Sequence, residues 1–104
     1  MTQSKRAHER YERRLAVKVV ADGRELEGTT VNISLGGMFV SLAEPVKFGS
    51  TIKASFRLPA LKEDTVITST VRWVTPDGIG IQFGSLRAME VWALNQLFKT
   101  VEAG

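Results

Sequence analysis

The 104-residue chain contains no cysteine and a single histidine, His8. The absence of cysteine excludes a disulfide framework, a thiol nucleophile and thiolate metal ligands, and one histidine leaves too few ligands for a typical zinc site. The chain also lacks an apolar run near the ~20 residues of a transmembrane helix, and its N-terminus is charged where a signal peptide is apolar. We therefore expect a cytoplasmic protein without membrane insertion and without a metal.

Groups that could perform catalysis are equally scarce. His8 stands among arginines near the N-terminus, and the sequence indicates no pocket for a pair of carboxylates. The segment Gly78-Ile79-Gly80 belongs to a predicted hairpin rather than to a strand-to-helix phosphate loop. We therefore expect no enzymatic activity, no catalytic residues and no cofactor, which leaves a binding function.

The positive charge of the chain is concentrated at its N-terminus. Residues 1–14 contain five basic and two acidic side chains, a balance of +3, while the other nine basic and nine acidic residues cancel. The basic residues of this segment are Lys5, Arg6, Arg10, Arg13 and Arg14. Phosphate, nucleic acid or an acidic protein surface would suit such an arm, and a solvated tail that only aids solubility is the alternative.

Six segments have the period of two that is typical of β-strands. They begin near Leu15, Arg24, Met38, Ile52, Val66 and Ile79, and Asp22-Gly23 and Pro76-Asp77-Gly78 supply hairpin turns. Strands at this spacing predict a small antiparallel barrel or sandwich. Trp73 shares one predicted face with Ile67 and Val71, which favours a core position for its ring over stacking on a ligand.

A helix is predicted after Gly84, where the apolar period changes to that of a helix. We place it at about residues 85–101, with Ser85 as the N-cap. Its apolar face would lie against the barrel and consists of Leu86, Met89, Ala93, Leu94, Leu97, Phe98 and Val101.

Two short motifs carry the candidate binding chemistry. Arg6 and Arg10 lie four residues apart, and a guanidinium binds phosphate through two parallel hydrogen bonds and stacks on a base with its flat face. Asn32 and Ser34 lie on one face of an extended chain and offer a carboxamide and a hydroxyl. The glycines that follow at 36 and 37 either admit a ligand close to the backbone or allow positive φ, and an ordinary β-turn is the alternative reading.

The pair of motifs, Arg6-x-x-x-Arg10 followed by Asn32-x-Ser34-x-x-Gly37, resembles the signature of PilZ domains, bacterial receptors for cyclic di-GMP. The likeness extends over nearly the whole chain from about Arg6, including the segments at 36–40, 71–74 and 78–83. The resemblance implies an all-β domain with one helix: a six-stranded antiparallel barrel of the split-barrel type with a C-terminal α-helix. We expect residues 1–14 to form a mobile basic arm and residues 15–104 to form the barrel and helix.

The resemblance also implies residue roles. Arg6 and Arg10 would grip the phosphates and stack on guanine, Asn32 and Ser34 would bond the guanine edge, and Gly37 would leave space for the ligand. An aspartate in place of Asn32 would accept from the guanine N1 and N2 donors as a charged group, so Asn32 implies weaker recognition of that edge. The candidate secondary contacts are Lys5, Arg13, Arg14, Gly36 and Trp73.

Several alternatives remain open at the level of sequence. Arg10 and Arg14 also satisfy the arginine spacing, although Arg6 and Arg10 leave a longer linker to the first strand. The expected function is reception of cyclic di-GMP, with ordering of the arm that signals to a downstream protein partner. The alternatives are an adaptor of the same fold that does not bind nucleotide, and a small-barrel nucleic-acid binder, which the neutral charge of residues 15–104 disfavours. One ligand or a stacked pair would fit the family, and the extra basic residues favour the pair.

Overall fold

The computed structural model describes residues 10–44 and 46–99. Its strands are β1 (Ala16–Ala21), β2 (Arg24–Ile33), β3 (Gly37–Ser41), β4 (Thr51–Phe56), β5 (Thr65–Thr75) and β6 (Gly78–Phe83), followed by helix α1 (Ala88–Lys99). The strands form a closed barrel in the order β1-β2-β3-β6-β5-β4, and every neighbouring pair is antiparallel. The predicted six-stranded barrel with one C-terminal helix is thus confirmed.

The barrel interior is filled by the apolar residue of each alternating pair. In β4, Ile52, Ala54 and Phe56 are buried while Thr51 and Lys53 are exposed, as the period of two requires. Most of the corresponding inward positions of the other strands are aliphatic, among them Val19, Val40, Ile67 and Ile81, whereas Thr30, Thr65 and Ser69 are polar. Because the sheet is closed, no strand has an unpaired edge. Side chains can therefore project outward from every strand of the barrel.

Two β-bulges interrupt this alternation. In β2, Thr30 pairs with Val40 and Asn32 pairs with Phe39, so that Val31 is an extra residue between them. In β5, Val71 pairs with Ile81 and Trp73 pairs with Gly80, so that Arg72 is extra. An extra residue moves every later side chain of its strand to the opposite face of the sheet.

The bulge in β5 corrects the prediction that Trp73 belongs to the core. Residues 65, 67, 69 and 71 are buried, and an uninterrupted alternation would bury residue 73 as well. Instead Trp73 lies on the outer surface of the barrel with 56% of its area exposed. Trp73 therefore adds an apolar ring to the outer surface of the barrel and does not belong to its interior.

Helix α1 begins at Ala88, so the predicted N-cap at Ser85 is wrong. The residue that precedes the helix is Arg87, whose backbone N–H donates to Glu90 Oε1 at 2.9 Å. Glu90 thereby satisfies one of the free N–H groups of the first turn, as the glutamate of a capping box does, although no Ser or Thr stands at the cap.

The buried face of the helix also differs from the prediction at one position. Met89 is 63% exposed, whereas Glu90, Ala93, Leu94 and Leu97 are buried. The side of the helix that carries Glu90 faces the barrel. Met89 therefore points outward. Val101 of the predicted face lies outside the described residues.

Residues 10–14 contact both the barrel and the helix. Tyr11 exchanges backbone hydrogen bonds of 2.8 Å with Ile33 at the end of β2, and its ring stacks on Phe98 of α1 with centroids 4.2 Å apart. Arg13 donates from Nε to the carbonyl of Leu97 at 3.3 Å and from Nη2 to that of Phe98 at 3.2 Å. Cationic donors suit these carbonyls because the last turn of a helix leaves them without partners.

The predicted boundary between an arm and the barrel after residue 14 stays a prediction, and residues 1–9 lie outside the described part of the chain. Within the described residues, no helix has the length and apolar character needed to cross a membrane.

Candidate ligand-binding site

The strand register places four residues in one row across the outside of the barrel. Asn32 of β2 pairs with Phe39 of β3, Phe39 pairs with Gly80 of β6, and Gly80 pairs with Trp73 of β5. The row lies on the outer face because its strand neighbours Ile33, Met38 and Ile81 are buried in the core. A polar side chain and two aromatic side chains from three strands are thus placed in one row.

Both bulges are needed for this row. Before each bulge the inward positions are Thr30 in β2 and Val71 in β5, so regular strands would turn Asn32 and Trp73 into the core. Because each strand has one extra residue, Asn32 and Trp73 lie on the outer face instead. Bulges are common beside functional sites because they re-aim side chains in this way.

The row forms the floor and walls of a pocket of about 280 Å³. Gly80 lies between Phe39 and Trp73 in the strand register, and the ring of Trp73 lies over it. A Cβ at Gly80 would lie 2.6 Å from Cε3 of Trp73, so a larger residue would displace this ring. The pocket is lined by Arg10, Asn32, Phe39, Trp73, Thr75 and Gly80.

Arg10 closes the polar side of the pocket. Its Nη1 donates to Oδ1 of Asn32 at 2.7 Å, a short bond of the kind that a cationic donor makes. Two residues from the two predicted motifs, 22 positions apart in the chain, are therefore in direct contact. The backbone bridge between Tyr11 and Ile33 holds them together, because it fixes the residue after Arg10 beside the residue after Asn32.

Ser34 is buried, and its hydroxyl is engaged in the turn that connects β2 to β3. The Oγ atom accepts from the backbone N–H of Gly36 at 3.1 Å and of Gly37 at 3.2 Å, and it donates to the carbonyl of Gly37 at 3.3 Å. The contact of Ser34 with a guanine edge stays a prediction. What the structure adds is that this hydroxyl organises the turn after Asn32.

Gly37 of this motif is explained by close packing and not by an unusual backbone angle. Among the described residues, positive φ occurs at Asp22, Gly23 and Gly49 and not at Gly36 or Gly37. Gly37 is buried, and a Cβ on it would overlap the carbonyl oxygen of Ile81 in β6. A bare Cα at this position is therefore required by the approach of β3 to β6.

The other residues predicted to contact the ligand do not all lie at this pocket. Lys5 and Arg6 lie outside the described residues, so the choice between Arg6 and Arg14 as the partner of Arg10 stays open. Arg14 is exposed, and Arg13 binds the end of α1 as described above. Phe39 and Gly80 were missed by sequence reasoning, because only the cross-strand register brings them to Asn32 and Trp73.

A larger depression of about 620 Å³ lies elsewhere, over β1, β2 and β4. Its charged rim combines Lys18, Glu27, Arg57 and Asp64, and the last two form an ion pair at 3.2 Å. It contains none of the predicted site residues and no bulge borders it. We therefore assign the site to the smaller pocket. In the described part of the chain, no cluster of His, Asp and Glu is arranged to hold a metal.

These features define a small closed β-barrel with a pocket on its outer surface that Arg10 helps to line. The family model of the PilZ domain matches residues 4–98, and the chain belongs to this family. PilZ domains bind cyclic di-GMP or act as effectors, and some members do not bind nucleotide.

Two solved structures share the fold. The PilZ domain of CeSA from a cellulose-synthesizing bacterium has a TM-score of 0.70 and 15% identity, over 86% of this chain and 94% of that chain. The inhibitor of motility MotI/DgrA of Bacillus subtilis has a TM-score of 0.76 and 23% identity, over 92% of this chain and 50% of that chain. This chain therefore spans half the length of the second structure. No curated protein sequence matches it.

Proposed function

We propose that this domain is a non-catalytic receptor for cyclic di-GMP, with its ligand held between Arg10 and the row from Asn32 to Trp73. The observation that carries the proposal is the 2.7 Å bond between Arg10 and Asn32 at the rim of the aromatic pocket. A guanidinium is suited to both a phosphate and a base, and the aromatic walls offer apolar faces to a purine.

The size of the pocket limits what enters it. Pockets that enclose a whole drug-sized ligand measure about 300–1,000 Å³, and this one, at about 280 Å³, lies just below that range. We infer that the pocket receives one base, while the phosphates and the second base remain outside. We infer that the basic residues Lys5 and Arg6 close over this outer part, and that ordering of the arm presents a new surface to a downstream protein.

Calorimetric titration of the full chain with cyclic di-GMP tests the proposal. We expect binding, and its stoichiometry distinguishes one ligand from a stacked pair. Arg10→Ala should weaken binding by about 1.5–3 kcal/mol, roughly 10- to 150-fold, which is the usual contribution of a charge-assisted contact.

Arg24→Ala is the matched control, because Arg24 pairs with the exposed Glu44 at 3.3 Å and does not line the pocket. It removes the same charge and should leave the affinity nearly unchanged. Equal losses for both variants would show that only the net charge matters, and no heat at tens of micromolar protein would refute the proposal.

An adaptor that binds no nucleotide is the second candidate. The observation in its favour is that Arg10 donates to Asn32 within the protein, which engages the carboxamide oxygen of Asn32. In that case the backbone amide spectrum would not change on addition of cyclic di-GMP, whereas the receptor proposal predicts shifts at Asn32, Phe39 and Gly80.

A further inference from the structure

Residues 10–14 run along the end of β2 and are bound there through their backbone. Tyr11 exchanges two hydrogen bonds of 2.8 Å with Ile33. The hydroxyl of Thr30, which is buried, donates to the carbonyl of Arg13. A buried hydroxyl without a partner is unfavourable, so this bond favours the observed path of the segment. The barrel therefore holds one side of the segment.

The side chains of Tyr11 and Arg13 bind the same segment to the last turn of α1. The ring of Tyr11 stacks on Phe98 with an angle of 9° between the two planes, and the guanidinium of Arg13 lies 5.8 Å from the centre of the Tyr11 ring. The three guanidinium nitrogens donate to the carbonyls of Glu12, Leu97 and Phe98. The end of a helix has carbonyls without partners and a partial negative charge, which a cation stabilises. We call the contacts of Tyr11 and Arg13 with Phe98 the α1 anchor.

The α1 anchor lies next to the pocket along the chain but outside its lining. Arg10 lines the pocket and donates to Asn32. Tyr11, Arg13 and Phe98 are not among the described residues that line it. Because consecutive Cα atoms are about 3.8 Å apart, the position of Tyr11 limits the positions that Arg10 can take. Contacts at the end of α1 therefore act on the Arg10 guanidinium from outside the pocket.

We propose that the last turn of α1 is a remote determinant of ligand affinity, with Tyr11, Arg13 and Phe98 as positioning residues that hold Arg10 at the pocket. The proposal rests on the function proposed above and adds residues that do not contact the ligand. A ligand binds only the fraction of molecules in which its site is assembled, so the apparent affinity falls with that fraction. An anchor that orders Arg10 before binding also removes the entropic cost of ordering it during binding.

The coupling between the pocket and α1 acts in both directions, because linkage between two sites is reciprocal. If the α1 anchor favours binding, a bound ligand favours the α1 anchor by the same factor. Amide hydrogen exchange measures local opening of a helix end, and it should become slower at Phe98 and Lys99 when cyclic di-GMP is added. The end of α1 thus responds to occupancy of a pocket that it does not line.

Calorimetric titration of variants of the full chain with cyclic di-GMP tests the positioning. Phe98→Leu removes the stack from the helix side, and Arg13→Met removes the donors but keeps a long side chain. Each should weaken binding about 2- to 30-fold, the range over which changes away from a site alter coupling. Tyr11→Phe keeps the stacked ring and should bind within about twofold of the unmodified protein. Arg57→Met is the control for the lost charge, because Arg57 pairs with the exposed Asp64 at 3.2 Å and does not line the pocket.

The protein without ligand gives a readout that a merely structural role would not change. In ¹⁵N relaxation measurements, the backbone amide of Arg10 should be more mobile in both weakened variants than in the unmodified protein. The side-chain amide signal of Asn32 should shift in the same variants. A substitution that only lowered the free energy of unfolding would leave both signals unchanged, since nearly all molecules stay folded.

The outcomes separate the two proposals. Binding of cyclic di-GMP with unchanged affinity in Phe98→Leu and Arg13→Met would overturn the role of the α1 anchor and leave the receptor function standing. A loss in Arg13→Met alone would indicate direct contact of Arg13 with the ligand and would overturn it as well. Absence of any binding would refute the receptor function and the effect of α1 on affinity, and the relaxation data would still show whether α1 positions Arg10.

Discussion

Gly37 provides the sharpest test of how a motif glycine is used in this domain. It pairs with Gln82 between β3 and β6, and a Cβ on it would overlap the carbonyl oxygen of Ile81 and lie 3.1 Å from the carbonyl carbon. Both atoms belong to the backbone of a strand with partners on each side. Alanine at this position can be accommodated only by moving β3 away from β6.

We expect Gly37→Ala to lower the free energy of unfolding by about 3 kcal/mol, the upper end of the usual cost of overpacking, because no side chain can give way. For a domain of this size, about 1 kcal/mol corresponds to roughly 4–8 °C, so the melting temperature should fall by roughly 12–24 °C. Urea unfolding followed by circular dichroism measures the free energy, and a thermal scan measures the temperature.

Gly80→Ala is the matched comparison, since a Cβ there meets Cε3 of Trp73 at 2.6 Å and not a backbone atom. Trp73 is 56% exposed and can turn outward, so the free energy of unfolding should change by less than about 1 kcal/mol. The same substitution narrows the pocket and should weaken ligand binding. If Gly37→Ala were as stable as the unmodified protein and lost only ligand affinity, our reasoning from strand packing would be wrong, and the role implied by the family resemblance would be supported.

The barrel could be predicted from sequence because its information is local. In β4 polar and apolar residues alternate over all six positions, and hairpin turns such as Asp22-Gly23 mark where strands end. Closure of the sheet was supplied by the family resemblance, and the strand order was not predicted, since pairing of β1 with β4 joins segments that no local pattern relates.

The two bulges could not be predicted, because a bulge is a property of the pairing between strands. In β5 the apolar residues Ile67, Val71 and Trp73 continue one alternation, and nothing local signals that the strand gains a residue at Arg72. This is why an exposed tryptophan was assigned to the core. In β2 the same effect turns Asn32 outward, into the row that forms the candidate site.

The candidate site was accordingly predicted in part. The motif residues Arg10 and Asn32 were found from their chemistry and spacing, and the structure brings them into contact. Phe39 and Gly80 belong to ordinary strand sequence, and only the register between three strands places them beside Asn32. Ser34 differs from these residues, because the motif identified it but its hydroxyl bonds the backbone of the following turn. The sequence alone does not reveal this structural role.

Two further predictions concern the elements that hold the site in place. Tyr11→Leu keeps the backbone bridge to Ile33 and an apolar side chain but removes the stack on Phe98, so urea unfolding should show a loss of about 0.5–1.5 kcal/mol, and no loss would mean that the ring contact is not a stabilising one. Burial raises the pKa of the Glu90 carboxyl, but hydrogen bonds from the side chain and backbone of Arg87 and its positive charge outweigh this effect, and the net pKa lies below the ordinary value. A carboxyl with a lowered pKa stabilises the folded state fully above its unfolded pKa of about 4.3, and this stabilisation is lost as the pH falls through the folded value. Glu90→Gln should therefore be less stable than the unmodified protein at pH 7, and the difference should shrink as unfolding is measured at successively lower pH below about 4. A difference that stayed constant down to pH 3 would show that the ionised carboxylate does not contribute and that only the neutral cap on the Arg87 N–H does.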